Sequence, residues 1–174
     1  MKIMTSGSKI DAAHKSYWQI SEVIFGAPFL VAVAIQFLVR LSLPDRIPRL
    51  ILIFVGMALM IAGAALISLA RREFFKYSQP TEPSRPTTEI VTTGVFSISR
   101  NPIYLGAGCL LAGLGLTLNW MWVLVFLLPS LIACHYVLIA PEEKYLVAKF
   151  GKEYHMYATR VHRWIGRSQS PHEL

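Results

Sequence analysis

Three apolar stretches, Ile20–Val39, Pro48–Ala70 and Ile103–Ala140, constrain what this chain can fold into. About 20 consecutive apolar residues cross the hydrocarbon core of a bilayer as a helix. The first two stretches each supply one such helix. The third is long enough for two, and Asn119 followed by Trp120 and Trp122 marks a turn with interfacial aromatics at its middle. The sequence therefore predicts an all-α, polytopic membrane bundle of about four transmembrane helices in a single domain, 1–174. Its parts are a polar lead (1–15), two N-terminal spans (16–70), a loop (71–100), a helical hairpin (101–140) and a helical tail (141–174) that serves as a lid.

Charge placement gives this bundle a direction. Of the 17 Lys and Arg residues, Arg40, Arg46 and Arg49 fall between spans one and two, and the other 14 lie on the side shared by both termini. The positive-inside rule puts that side, with the loop and tail, in the cytoplasm. The expected location is an integral membrane protein of a bacterial inner membrane. The net charge of +7 follows from this asymmetry without nucleic acid, for which a soluble basic face with interleaved aromatics would be needed. Cys109 and Cys134 both fall within predicted spans and read as small core residues. No Cys/His spacing suits zinc, and no metal is expected.

Several positions are polar where the bundle should be apolar. Glu22 lies near the start of span one, close enough to the interface to be solvated. The loop contains Pro80, Pro83 and Pro86, which keep it extended, and Gly94 suggests backbone brought close to another group. Pro141 reads as a break after span four, opening a new helix with Glu142 and Glu143 in its first turn, where the dipole alone justifies acids. The tail Glu142–Arg163 is amphipathic, its apolar positions recurring from Leu146 to Val161, and Gly151 divides it into two short helices.

An antiparallel hairpin places Pro102 and Ala140 at similar depth. Two groups should therefore meet: Arg100, Asn101 and Tyr104 on one side, and His135, Glu142 and Glu143 on the other, with Tyr154, Arg160 and Arg163 returned by the tail. Mixed charges and aromatics at membrane level suit an amphiphilic or zwitterionic ligand.

The motifs recur in a recognisable order. Thr93-Gly94-Val95-Phe96 is followed by Arg100-Asn101-Pro102-Ile103-Tyr104-Leu105-Gly106, then Glu142-Glu143-Lys144-Tyr145-Leu146, Phe150-Gly151-Lys152-Glu153-Tyr154, and Tyr157 through Arg163. Over about Glu89–Trp164 the chain resembles the integral-membrane methyltransferases typified by isoprenylcysteine carboxyl methyltransferase, with phospholipid N-methyltransferases as more distant relatives. The resemblance implies S-adenosylmethionine as cofactor, held in a pocket closed by the C-terminal segment, and a lipophilic or small acceptor entering from the bilayer. It implies that Asn101, Pro102, Tyr104 and Leu105 line the cofactor pocket, and Arg100, His135 and Tyr154 are expected to bind the cofactor with them. One of Glu142 and Glu143 would bind the cofactor's polar groups, and Glu142 and Arg163 would be the catalytic residues, Arg163 beside the acceptor. The isoprenylcysteine enzymes usually carry histidine where this chain has Asn101, and asparagine cannot take up a proton.

An isoprenylcysteine-like carboxylate needs no general base, and Arg163 could orient it with a bidentate contact. A phospholipid amine or a thiol is the alternative acceptor. Two readings of other classes stand beside these: an NADPH-dependent membrane reductase, and a non-catalytic membrane scaffold.

Overall fold

The computed structural model describes residues 21–78 and 88–168, so the polar lead and Pro80, Pro83 and Pro86 lie outside the described residues. Among the described residues the regular elements are helical, with no β-strand beyond an isolated antiparallel bridge between Val161 and Arg167. The elements are α1 (Ser21–Leu38), α2 (Arg49–Lys76), a 3₁₀ turn (Gly94–Ser97), α3 (Pro102–Leu118), α4 (Met121–Ala133), a π-helical turn (Cys134–Ile139), α5 (Ala140–Phe150) and α6 (Lys152–Arg160). Among them, α2 and the continuous helix Met121–Phe150 are long and apolar enough to cross a membrane, and α1 and α3 are shorter apolar helices.

Close approach of backbones holds α2 against α3. A Cβ on Gly63 would stand 2.6 Å from the carbonyl oxygen of Gly106, and one on Gly106 would stand 2.8 Å from that of Gly63. Any side chain at either position would push the helices apart, so these glycines set the spacing of the pair. Outward, α2 presents Leu50, Phe54, Ile61 and Leu69, which are exposed on the protein surface.

The expected turn at Asn119 is present. Asn119 has left-handed backbone (φ 60°), and the Trp120 amide donates to the Gly115 carbonyl at 2.8 Å, the closing bond of a Schellman motif. Its side chain accepts from the Leu43 amide at 2.9 Å, and Arg49 donates to the carbonyls of Leu116 (3.1 Å) and Thr117 (2.5 Å). A cation on the last carbonyls of α3 also complements its dipole.

Pro141 does not break the chain's course. Helical backbone runs from Met121 to Phe150, with Ile139 (φ −67°, ψ −48°) and Ala140 (φ −65°, ψ −42°) fully helical. The π turn is the reason. Proline lacks an amide hydrogen and crowds the carbonyl four residues back, and the wider turn absorbs both. The Ala140 amide reaches back five residues, to the His135 carbonyl. Glu142 and Glu143 are thus inside a continuous helix, and the dipole of a helix start no longer accounts for them.

Gly151 (φ 51°) separates α5 from α6 as expected. Gly94 meets the group its sequence context anticipated: with φ 58°, it leaves a Cβ only 2.7 Å from the carboxyl carbon of Glu73. Glu73 accepts from Lys76 Nζ at 2.7 Å and Thr93 Oγ1 at 2.9 Å, and Phe74 stacks on Phe96 with ring centroids 5.0 Å apart. This latch ties the 3₁₀ turn to the end of α2 and so positions Arg100 and Asn101.

Candidate active site

Helix α3 begins at Asn101, whose side chain does not cap it. Instead, Asn101 Nδ2 donates to the Arg163 carbonyl at 3.0 Å, and its amide donates to Ser99 Oγ at 3.1 Å. The segment after α6 folds back along this stretch. The Arg100 amide donates to the His162 carbonyl (3.1 Å), the Gly166 amide to the Ile98 carbonyl (2.9 Å), and Arg167 Nε to the Ser97 carbonyl (2.9 Å). Tyr157 adds a bond from its hydroxyl to the Phe96 carbonyl at 2.7 Å. Burial raises the Tyr157 hydroxyl well above its ordinary pKa, so it remains a donor.

This docking brings two arginines to one carboxylate. Arg163 grips Glu143 with both Nε (3.0 Å) and Nη2 (2.6 Å), and Arg100 Nη1 stands 3.1 Å from Glu143 Oε1. Arg100 Nη1 also donates to the Tyr154 hydroxyl at 3.3 Å. Burial, then the Glu143 charge, raises the Tyr154 pKa, so that hydroxyl keeps a proton to donate elsewhere. Arg100 Nε is buried and has no acceptor among the described residues. Glu142 is differently placed. Among the described residues its partner is the Tyr104 hydroxyl, at 3.3 Å, and not a cation.

Of the residues singled out in the sequence, Arg100, Asn101, Tyr154, Glu143 and Arg163 form one connected polar cluster, and Tyr104 with Glu142 form a pair beside it. Pro102 is fully buried at the first turn of α3. Leu105 and His135 stand apart from the cluster: they line an adjoining cleft of about 640 Å³ between α3 and the α4–π helix. The remaining walls are almost wholly apolar and include Gly108, Leu131 and Trp164. The two regions adjoin, because Tyr104 and Arg163 of the polar groups immediately precede Leu105 and Trp164 of the cleft.

Trp164, Ser99 and Tyr157 belong to this architecture and were not among the expected site residues. Trp164 packs on the core of Phe25, Cys134, Leu138 and Ile139, a contact no local pattern announces. No group of His, Cys, Asp and Glu suited to a metal occurs among the described residues. Cys134 is buried in the core as expected, whereas Cys109 is half-buried and lines the cleft; both are free thiols.

Residues 51–153, more than half of the chain, match the family model described as phospholipid methyltransferase. The match takes in α2 from Ile51 onward, α3 and Glu142–Glu143, and ends before Tyr154 and Arg163. An uncharacterized protein of Haemophilus influenzae is 42% identical over 52 residues, covering 30% of this chain and 76% of that protein. No solved structure matches the chain.

Proposed function

The chain belongs to the phospholipid methyltransferase family, and from that premise we propose that it uses S-adenosylmethionine to methylate the amine headgroup of a lipid. The observation that carries the amine over a carboxylate is the division of labour between the two acids. Both Glu143 oxygens are held by Arg163, so that guanidinium is already engaged and is not free to orient an acceptor carboxylate. Glu142 has only a neutral hydroxyl as partner among the described residues, and it is the group available to an ammonium.

The residues fit the cofactor. The unpartnered Arg100 Nε is a donor suited to its carboxylate, and the remaining Tyr154 proton is a second. The Tyr104 ring offers an aromatic face to a cation. When bound, S-adenosylmethionine supplies an electrophilic methyl group on a sulfonium, open to in-line displacement. Glu142 takes the proton that an ammonium must lose before its nitrogen can attack, and Tyr104 holds the carboxylate in place for that transfer. The docked segment 160–168 covers one side of the polar cluster.

Four spans with both termini cytoplasmic complete the proposal. At 18 and 17 residues, α1 and α3 are at the short end of what crosses a bilayer, and the basic residues favour the cytoplasmic side for the tail. The tail is then the lid of the pocket.

The test is thermal unfolding of the detergent-solubilised protein. S-adenosylhomocysteine should raise the melting temperature and NADPH should not. Labelled methyl transfer should then appear in an amine phospholipid and not in a prenylated peptide or a thiol. A shift with NADPH alone would favour a reductase, and none with either a scaffold.

A further inference from the structure

Glycines on α3 do two different jobs. Added Cβ atoms at Gly106 and Gly113 would collide with backbone of α2, and one at Gly115 would stand 2.8 Å from Leu124. These three are small because helices must touch. Gly108 is not in that position. A Cβ there would meet only Leu131 Cδ2, at 3.4 Å, an ordinary contact. Helix packing does not require glycine at 108, yet the residue faces the cleft.

We propose that the cleft holds one hydrocarbon chain of the lipid acceptor and that Gly108 determines how much chain it admits. The occupant's identity as acceptor rests on the methyltransferase reading above. Leu105, Gly108, Cys109 and Ala112 lie along one face of α3, spaced three and four residues apart, and give a wall about 10 Å long at 1.5 Å per residue. Small side chains along its middle leave a trough, and Leu131 on the opposite helix closes it. Its outer lip includes Ile132 and Tyr136, both exposed, so a chain enters from the lipid side without unfolding anything.

The polar end suits an amine headgroup. Among the described residues, Glu142 is the carboxylate at this end that no arginine holds, and its charge matches the amine of a lipid headgroup. Glu142 then faces the headgroup nitrogen. The chain and the amine of one molecule thus meet the cleft and the free carboxylate.

Gly108→Leu fills the trough from α3 while leaving the α2 contact untouched. The probe is an amine phospholipid with brominated chains, and the readout is the fluorescence quenching that disappears in Trp164→Phe. The expected result is strong Trp164-dependent quenching in the unaltered protein and at least a fivefold loss in Gly108→Leu. S-adenosylhomocysteine should stabilise both equally, and the ratio of long-chain to short-chain methyl transfer should fall at least tenfold in the variant. Gly108→Val serves the same purpose if the leucine variant fails to fold. Undiminished quenching with an unchanged chain-length ratio overturns the proposal, as does equal quenching by every brominated lipid regardless of headgroup. Quenching that depends on Gly108, in a protein that S-adenosylhomocysteine does not stabilise, would keep the chain site and remove the methyltransferase reading.

Discussion

Arg163 and Glu143, twenty residues apart in the chain, form a two-pronged ion pair, with Nε to Oε1 at 3.0 Å and Nη2 to Oε2 at 2.6 Å. It joins the segment after α6 to α5, and Arg100, 3.1 Å from the same Oε1, joins both to the start of α3. Three separate pieces of chain therefore depend on one acid.

Replacing that acid exposes the dependence. Glu143→Gln leaves two guanidiniums facing each other without a counter-charge. Breaking a buried pair from one side costs about 3–5 kcal/mol. The Arg163 side chain is 37% exposed, so a smaller loss of about 1–3 kcal/mol is expected here. Denaturant unfolding in detergent measures it. A double-mutant cycle with Arg163→Gln should return a coupling of about 1 kcal/mol or more, and additive effects would show that the pair contributes nothing.

Glu142→Gln should behave in the opposite way. Its partner is a hydroxyl, which an amide oxygen can still accept from, so stability should change by less than about 1 kcal/mol. Methyl transfer to an amine should fall by about 10² or more, the usual contribution of a general base. The sign of the pH effect is fixed by the chemistry: the carboxylate must be ionised to accept a proton, so the unaltered enzyme's rate rises with pH on its acid side. That rise should vanish in the variant. A variant with full activity would remove Glu142 from the reaction.

Asn101 tests the hold on the tail. Asn101→Asp substitutes an acceptor for the Nδ2 donor, and a carboxylate then faces the Arg163 carbonyl. Losing a buried hydrogen bond and leaving its acceptor unmet costs about 1–3 kcal/mol. Hydrogen exchange over 160–168 should quicken while α3 remains protected. Asn101→His retains an N–H donor and should recover most of that protection.

What could be read before the fold was known follows from how local each signal is. Asn119 and Gly151 announce themselves because left-handed backbone selects asparagine and glycine, and each indeed ends a helix. Gly94 is another case, since its tight approach to Glu73 needs both a missing side chain and a positive φ. Pro141 misleads for the same reason that makes it readable. The rule that proline stops a helix considers four residues, whereas the π turn that accommodates Pro141 begins at Cys134. The partnership of Arg163 with Glu143, and the place of Trp164 against Phe25 and Leu138, depend on the tail's docking. No spacing along the chain encodes either.

Gly94→Ala follows from the latch. The new Cβ would lie 2.7 Å from the Glu73 carboxyl carbon, in a backbone conformation that costs an L-residue roughly 1–2 kcal/mol by itself. A total loss of about 2 kcal/mol or more is expected in thermal unfolding. Glu73→Ala removes the group being struck, so the two changes together should cost less than their sum.

Pro141→Ala separates helix stability from site geometry. Alanine restores the missing amide, which bonds the carbonyl four residues back if the π turn relaxes to an α-helix. Proline in a helix interior is about 3 kcal/mol less favourable than alanine, so the variant should be no less stable, and at most a few kcal/mol more so. Relaxing the π turn takes up its extra residue, and one residue is about 100° of helix rotation. Glu142 and Glu143 would then turn away from Tyr104 and the arginines. The expected outcome is a melting temperature held or raised, with S-adenosylhomocysteine affinity reduced at least tenfold. Unchanged affinity alongside unchanged stability would mean that the turn is set by packing of Cys134, Leu138 and Ile139 in the core and not by proline.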